Sequence, residues 1–123
     1  MPFASAVALT LGDNIGTCMT AQIASIRSGL PGRRTAWAHT LYNVIGAAAA
    51  MALLPQFCAL VEWFTRALGQ DGGRLVANTH TLFNVLSAVV FLPLTRLYAR
   101  FIEWIVPGRP SEAVRRPGPR RAA

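Results

Sequence analysis

The sequence contains no lysine: all twelve of its basic residues are arginine, set against five acidic ones. The net charge of +7 therefore rests on few positions. Charged residues make up 14% of the 123-residue chain, where a soluble domain carries about a quarter. That shortage argues against a chain solvated on all sides and points to one built for lipid. Cysteine is scarce as well. Cys18 and Cys58 form no CxxC pair and stand in apolar surroundings, which leaves two buried free thiols and little support for a redox or zinc centre. Paired carboxylates, a nucleophile–base motif and a clustered ligand set are all lacking, so neither an enzyme nor a cofactor is expected. A basic segment followed by a cleavage site is lacking too, and no signal peptide is expected. Seven arginines (Arg96, Arg100, Arg109, Arg115, Arg116, Arg120, Arg121) gather near the C-terminal end with no regular aromatic or glycine pattern interleaving them. They read as the cytoplasmic flank of a membrane span, and no nucleic-acid partner is expected.

What is present is mostly apolar, 53% of the residues. Its size allows one domain. Residues 1–26 hold a single charge, Asp13, and Gly12 and Gly16 bracket the middle of the stretch. Glycine weakens a helix, and Asp13 and Asn14 favour caps over helix interiors. The pattern predicts two short helices, about 3–11 and 16–27, joined by a polar break. Each would be about 15 Å long, half the hydrocarbon core of a bilayer. Arg27, Arg33 and Arg34 then flank a turn, and Thr35 to Val61 carries no formal charge. Its first part, to Leu54, is long enough to span, and Pro55 ends it. Gly46 and the alanines 47–50 give this helix a small-residue face for close packing. An amphipathic helix is predicted over 57–68, a turn over 69–73, a second span over 75–95 with Pro93 near its end, and an amphipathic piece over 96–106.

The expected fold is thus all-α: a membrane protein with a half-length helix pair, two transmembrane helices and amphipathic helices. Residues 1–106 form the membrane domain and 107–123 a basic disordered tail. The arginine distribution puts the loop 27–34 and the tail in the cytoplasm and 55–74 outside, as a multi-pass protein of the cell (inner) membrane.

His39-Thr40-Leu41-Tyr42-Asn43-Val44 recurs as His80-Thr81-Leu82-Phe83-Asn84-Val85. Each copy opens an uncharged run that ends in a Leu-Pro pair. His and Asn, four apart, share a helix face. That face either touches an ion and its water or holds the broken helices in place.

These residues resemble the sodium/phosphate cotransporter family, the type II animal carriers and their bacterial relatives. That family shows a G-x-N-I-G-T-T-x-T run, a basic turn, an A-H-x-x-F-N span and, in bacterial members, a later A-H-T-L-F-N span. Here Gly12 to Thr20, Ala38 to Asn43 and His80 to Asn84 match in that order. The match covers about residues 3–106. Cys18 replaces the second threonine of the run, which removes an oxygen donor. The family's glutamine-serine-serine-serine motif does not occur in this sequence. The resemblance therefore implies the C-terminal part of the second repeat only.

It implies sodium-dependent phosphate symport, carried out as a fragment or half of a transporter and not by this chain alone. The implied partners are lipid, sodium, phosphate and a complementary repeat or chain. Asn14, Gly16, Thr17 and Thr20 would bind substrate and ion, with sodium at Asn14 and Thr17 as the one metal expected. The break would offer backbone N–H groups to the anion. Asp13, His39, Asn43, His80 and Asn84 would stand around them. Asp13 either attracts a cation or caps a helix; Thr17 and Thr20 either bind an ion or bond back to a carbonyl one turn earlier. The competing expectation is a small membrane scaffold or assembly partner without transport activity.

Overall fold

The structure is a computed structural model that describes residues 2–109. Five α-helices follow one another: α1 (Phe3–Ser25), α2 (Leu30–Ala52), α3 (Leu54–Ala67), α4 (Leu75–Phe91) and α5 (Thr95–Ile105), with a 3₁₀ turn at Gly72–Arg74 before α4. No strand occurs among the described residues, and the all-α expectation holds. Most of the tail expected at 107–123 lies outside the described residues.

The first correction concerns α1. It runs without interruption through Gly12, Asn14 and Gly16, where a break between two half-helices was expected. Two features of the sequence outweigh the glycines. Val7, Leu11, Asn14, Cys18 and Ser25 form a buried stripe along the whole helix, and a break would take half of it off α2. The polar side chains also find partners inside the helix. Thr10 Oγ1 donates to the Ala6 carbonyl at 2.9 Å, Asn14 Nδ2 to Thr10 at 3.2 Å, and Thr17 Oγ1 to Asn14 at 2.9 Å. No half-helix N-terminus exists there to receive an anion.

The second correction concerns the two full spans. No single helix among the described residues is long and apolar enough to cross a membrane. Two bent pairs reach that length and apolarity together: α2 with α3, bent by 93°, and Gly72–Phe91 with α5, bent by 90°. Prolines set both bends. Pro55 starts α3 where an N–H is dispensable, and Pro93 sits between α4 and α5. α2 begins before the uncharged run and so includes Arg33 and Arg34, while α4 has only 17 residues. The amphipathic helices expected at 57–68 and 96–106 correspond to α3 and α5.

α1 and α2 form an antiparallel hairpin, and α3 and α4 close over its far end. Val7, Leu11, Ala47, Phe57, Val61 and Phe83 make the shared core. The small face of α2 admits α4 closely: a Cβ added at Gly46 would lie 3.0 Å from Ser87 Oγ and 3.1 Å from Phe83 Cζ. Gly69 ends α3 with φ +65°, a conformation glycine adopts without steric cost. Beside it Asn78 ties α4 to α3, donating to Thr65 Oγ1 at 2.8 Å and Gln70 Oε1 at 2.9 Å.

α5 turns back onto the start of α2. Arg34 donates to the carbonyls of Val106 and Gly108 at 3.1 and 3.2 Å, and Tyr98 Oη donates to that of Ala38 at 2.6 Å. One end of the bundle therefore collects Arg27, Arg33, Arg34, Arg96, Arg100 and Arg109 with Glu103. At the other end Glu62, Arg66, Asp71 and Arg74 cancel.

Candidate functional site

The residues of the Gly12–Thr20 stretch divide between two sides of α1. The helical period turns Asn14 and Cys18 toward α2, where Asn14 is 6% exposed and Cys18 fully buried. Gly12, Asp13, Gly16, Thr17 and Thr20 lie on the opposite, exposed side. A Cβ added at Gly12 or Gly16 meets nothing within 4 Å. Asp13 stands mid-helix, so the capping role considered for it has no helix end to serve.

The two threonines bond back along the helix. Thr17 Oγ1 donates to Asn14 O and Thr20 Oγ1 to Thr17 O, at 2.9 and 2.7 Å. A hydroxyl that donates its proton still has lone pairs to offer a cation or a donor. The Thr17 hydroxyl thus bonds the backbone carbonyl of Asn14, while the Asn14 side chain is buried on the α2 side. α1 alone does not assemble the two as a sodium pair.

The buried side of α1 forms a polar seam with α2. Cys18 Sγ contacts the carbonyls of Asn14 at 3.2 Å and His39 at 3.8 Å. One turn on, Gln22 Nε2 donates to Thr40 Oγ1 at 2.7 Å and to the Ala36 carbonyl at 3.2 Å. Among the described residues, no fully buried side-chain nitrogen or oxygen lacks a partner. The seam is therefore satisfied internally, as buried polar groups usually are. Gln22, Asn78 and Thr65 had no place in the sequence reading. A lone glutamine four residues after Cys18 was the available signal for Gln22.

The repeated motif behaves alike in its two copies at the backbone and differently in burial. Asn43 Nδ2 donates to His39 O at 3.0 Å, and Asn84 Nδ2 to His80 O at 2.8 Å. Both histidine side chains are exposed, Asn43 is buried and Asn84 half-buried. The copies touch, with Tyr42 Oη 3.4 Å from the Asn84 carbonyl. Neither motif joins the open face of α1.

Two cavities lie apart from that face. A groove of about 420 Å³ between α2, α3 and α4 is apolar except for Gln56 and Ser87. An opening of about 480 Å³ at the α1–α2 turn is lined by Ser25, Ser28, Thr35 and His39 among others. The hydroxyls of Ser28 and Thr35 already donate to nearby carbonyls there.

Over 57 residues, 46% of its length, the chain is 40% identical to a protein of Bacillus subtilis (strain 168) described as uncharacterized protein YqeW. That stretch spans 19% of the relative. No family model matches the chain, and no solved structure matches it.

Proposed function

We propose that this chain is one part of a sodium-dependent phosphate symporter of the cell membrane, inactive until another repeat or chain covers the open side of α1. The observation that carries the reading is the gathering of Asp13, Gly16, Thr17 and Thr20 on one uncovered face of a helix that holds no other charge. A charged side chain at the centre of a membrane helix costs about 2.5–3.5 kcal/mol on insertion scales, so Asp13, if α1 lies at bilayer depth, calls for a partner or an ion. Asp13 supplies charge for sodium and the threonine lone pairs supply oxygen donors. Gly12 and Gly16 let a second backbone or the substrate approach. Asn14 has a different task in this reading from the one its motif implied: buried beside Cys18 on the α2 side, it helps seat α1 on α2. His39, His80 and Asn84 lie outside the ion path.

The arginine-rich end supports an orientation. With 27–34 and α5 on one side and 55–74 on the other, the positive-inside rule places the first side in the cytoplasm. The partial match to a longer relative fits a chain that works as part of a larger unit.

The test is uptake of labelled phosphate by cells of the source organism, with and without sodium. Deleting the gene should remove a sodium-dependent component, and the wild-type chain should restore it. Thr17→Val with Thr20→Val should not restore it, although the protein reaches the membrane. Full restoration by that double variant overturns the assignment.

A second reading, a scaffold without transport, is favoured by the unbroken α1 and its internally satisfied seam. It expects the chain to be needed for assembly of a membrane complex while Asp13, Thr17 and Thr20 tolerate substitution.

A further inference from the structure

α5 is more apolar than its packing onto α2 requires. Ile102 and Val106 are buried, each 5% exposed, and Tyr98 is half-buried against α2. Leu97, Phe101 and Trp104, which share another face through their i, i+4, i+7 spacing, are 67%, 42% and 77% exposed. The Phe101 and Trp104 rings stack at 6.2 Å, so this strip is a continuous aromatic and aliphatic surface. Arg96 and Arg100, both exposed, run along its edge. The one acid of the helix, Glu103, is met by Arg34 at 3.7 Å. The two edge arginines form no ion pair among the described residues.

The helix is also held in a fixed attitude. It leaves the preceding helix at 90°, and Arg34 and Tyr98 fasten it to α2. If α4 stands across a bilayer, α5 lies in its plane. An apolar strip bordered by guanidinium groups on such a helix puts its side chains among acyl chains and its arginines at headgroup level. Charge decides which surface it faces: Arg27, Arg33 and Arg109 stand at the same end, so the patch attracts anions.

We propose that the Leu97–Phe101–Trp104 face of α5 docks on an anionic phospholipid surface, with Arg96 and Arg100 binding the headgroup phosphates. The inference rests on the membrane placement proposed above and is independent of what the protein carries.

The test uses the full chain with Trp37→Phe and Trp63→Phe, leaving Trp104 as the only tryptophan. It is reconstituted in phosphatidylcholine vesicles containing an equal share of phosphatidylglycerol, with brominated chains on one lipid or the other. Each basic residue near a charged surface strengthens attraction about fivefold. Brominated phosphatidylglycerol should therefore quench Trp104 about fivefold more than brominated phosphatidylcholine. R96Q with R100Q should remove that excess while the chain still floats with the vesicles. Equal quenching by both lipids, or an excess that survives R96Q/R100Q, overturns the proposal. A chain that floats with Trp104 unquenched overturns this inference alone; a chain that stays with the soluble fraction overturns the membrane placement too. Hydrogen exchange of unaltered wild type gives a second measurement. Amides of 95–105 should exchange several-fold more slowly in anionic than in zwitterionic nanodiscs, and equal rates count against the docking.

Discussion

Replacing Gly12 and Gly16 by alanine tests the course of α1 and the openness of its outer face together. In a helix interior glycine is about 1 kcal/mol less favourable than alanine, because the glycine backbone loses more freedom on ordering. Both residues sit inside an uninterrupted helix. An added Cβ meets nothing within 4 Å at either one, so no steric cost offsets the gain. Each substitution should stabilise the isolated chain by about 1 kcal/mol, and the pair by about 2 kcal/mol if the sites act independently. The measurement is reversible unfolding of the purified chain in detergent, followed by far-ultraviolet circular dichroism, with all variants in one micelle. Loss of stability on either change would refute the reasoning. It would mean that the chain bends at Gly12–Gly16, or that this face is already packed against something. The same pair of substitutions has the opposite expected effect in the complete assembly. If another helix closes on this face, two methyl groups should impair docking and lower phosphate uptake. A stabilised chain with diminished uptake separates the open face from the fold.

Three further outcomes follow from the packing. Gly46→Leu should cost about 1–3 kcal/mol through overpacking, since Phe83 and Ser87 already crowd the position; an unchanged unfolding midpoint would rule out the close α2–α4 approach. Asn78→Leu removes the donor shared by Thr65 and Gln70 and should destabilise by about 1–3 kcal/mol, read in the same unfolding assay. Arg34→Gln should loosen α5 and raise hydrogen exchange over 95–106 with little change in α1. Most of that effect comes from the bonds to the Val106 and Gly108 carbonyls, because Glu103 is 60% exposed and a surface ion pair adds about 0–1 kcal/mol.

Local punctuation was legible in the sequence. Pro55, Gly69 and Pro93 mark the ends of helices that the structure places within a few residues of the expected bounds. The amphipathic spacing of 57–68 and 96–106 identified α3 and α5, and the small residues from Gly46 onward announced a close helix contact. The break at Gly12–Gly16 was misread because propensity was weighed without the tertiary stripe. Residues 7, 11, 14 and 18 keep a register of three and four that a kink would destroy, and this outweighs two glycines. Lack of charge likewise proved a poor measure of span: α2 carries Arg33, Arg34, His39 and Asn43 among its alanines, and α4 stops at Phe91 after 17 residues, so neither helix alone is long and apolar enough to cross. For the candidate site, the sequence named the segment but not its sides. Which of Asn14 and Thr17 faces α2 depends on where α2 lies, and no window along one helix contains that information.

The two histidine-to-valine motifs differ by a single oxygen atom, that of Tyr42, and the fold sorts them by it. Phe83, without the hydroxyl, fills the interior at 2% exposure, while Tyr42 stays half-buried with its phenol at the Asn84 carbonyl. Exchanging the aromatic residues would sink a phenol among aliphatic neighbours and take a hydroxyl from the one position that uses it. Near-identical words in one chain thus hold different places, one phenol at a backbone carbonyl and one phenyl ring in the shared core.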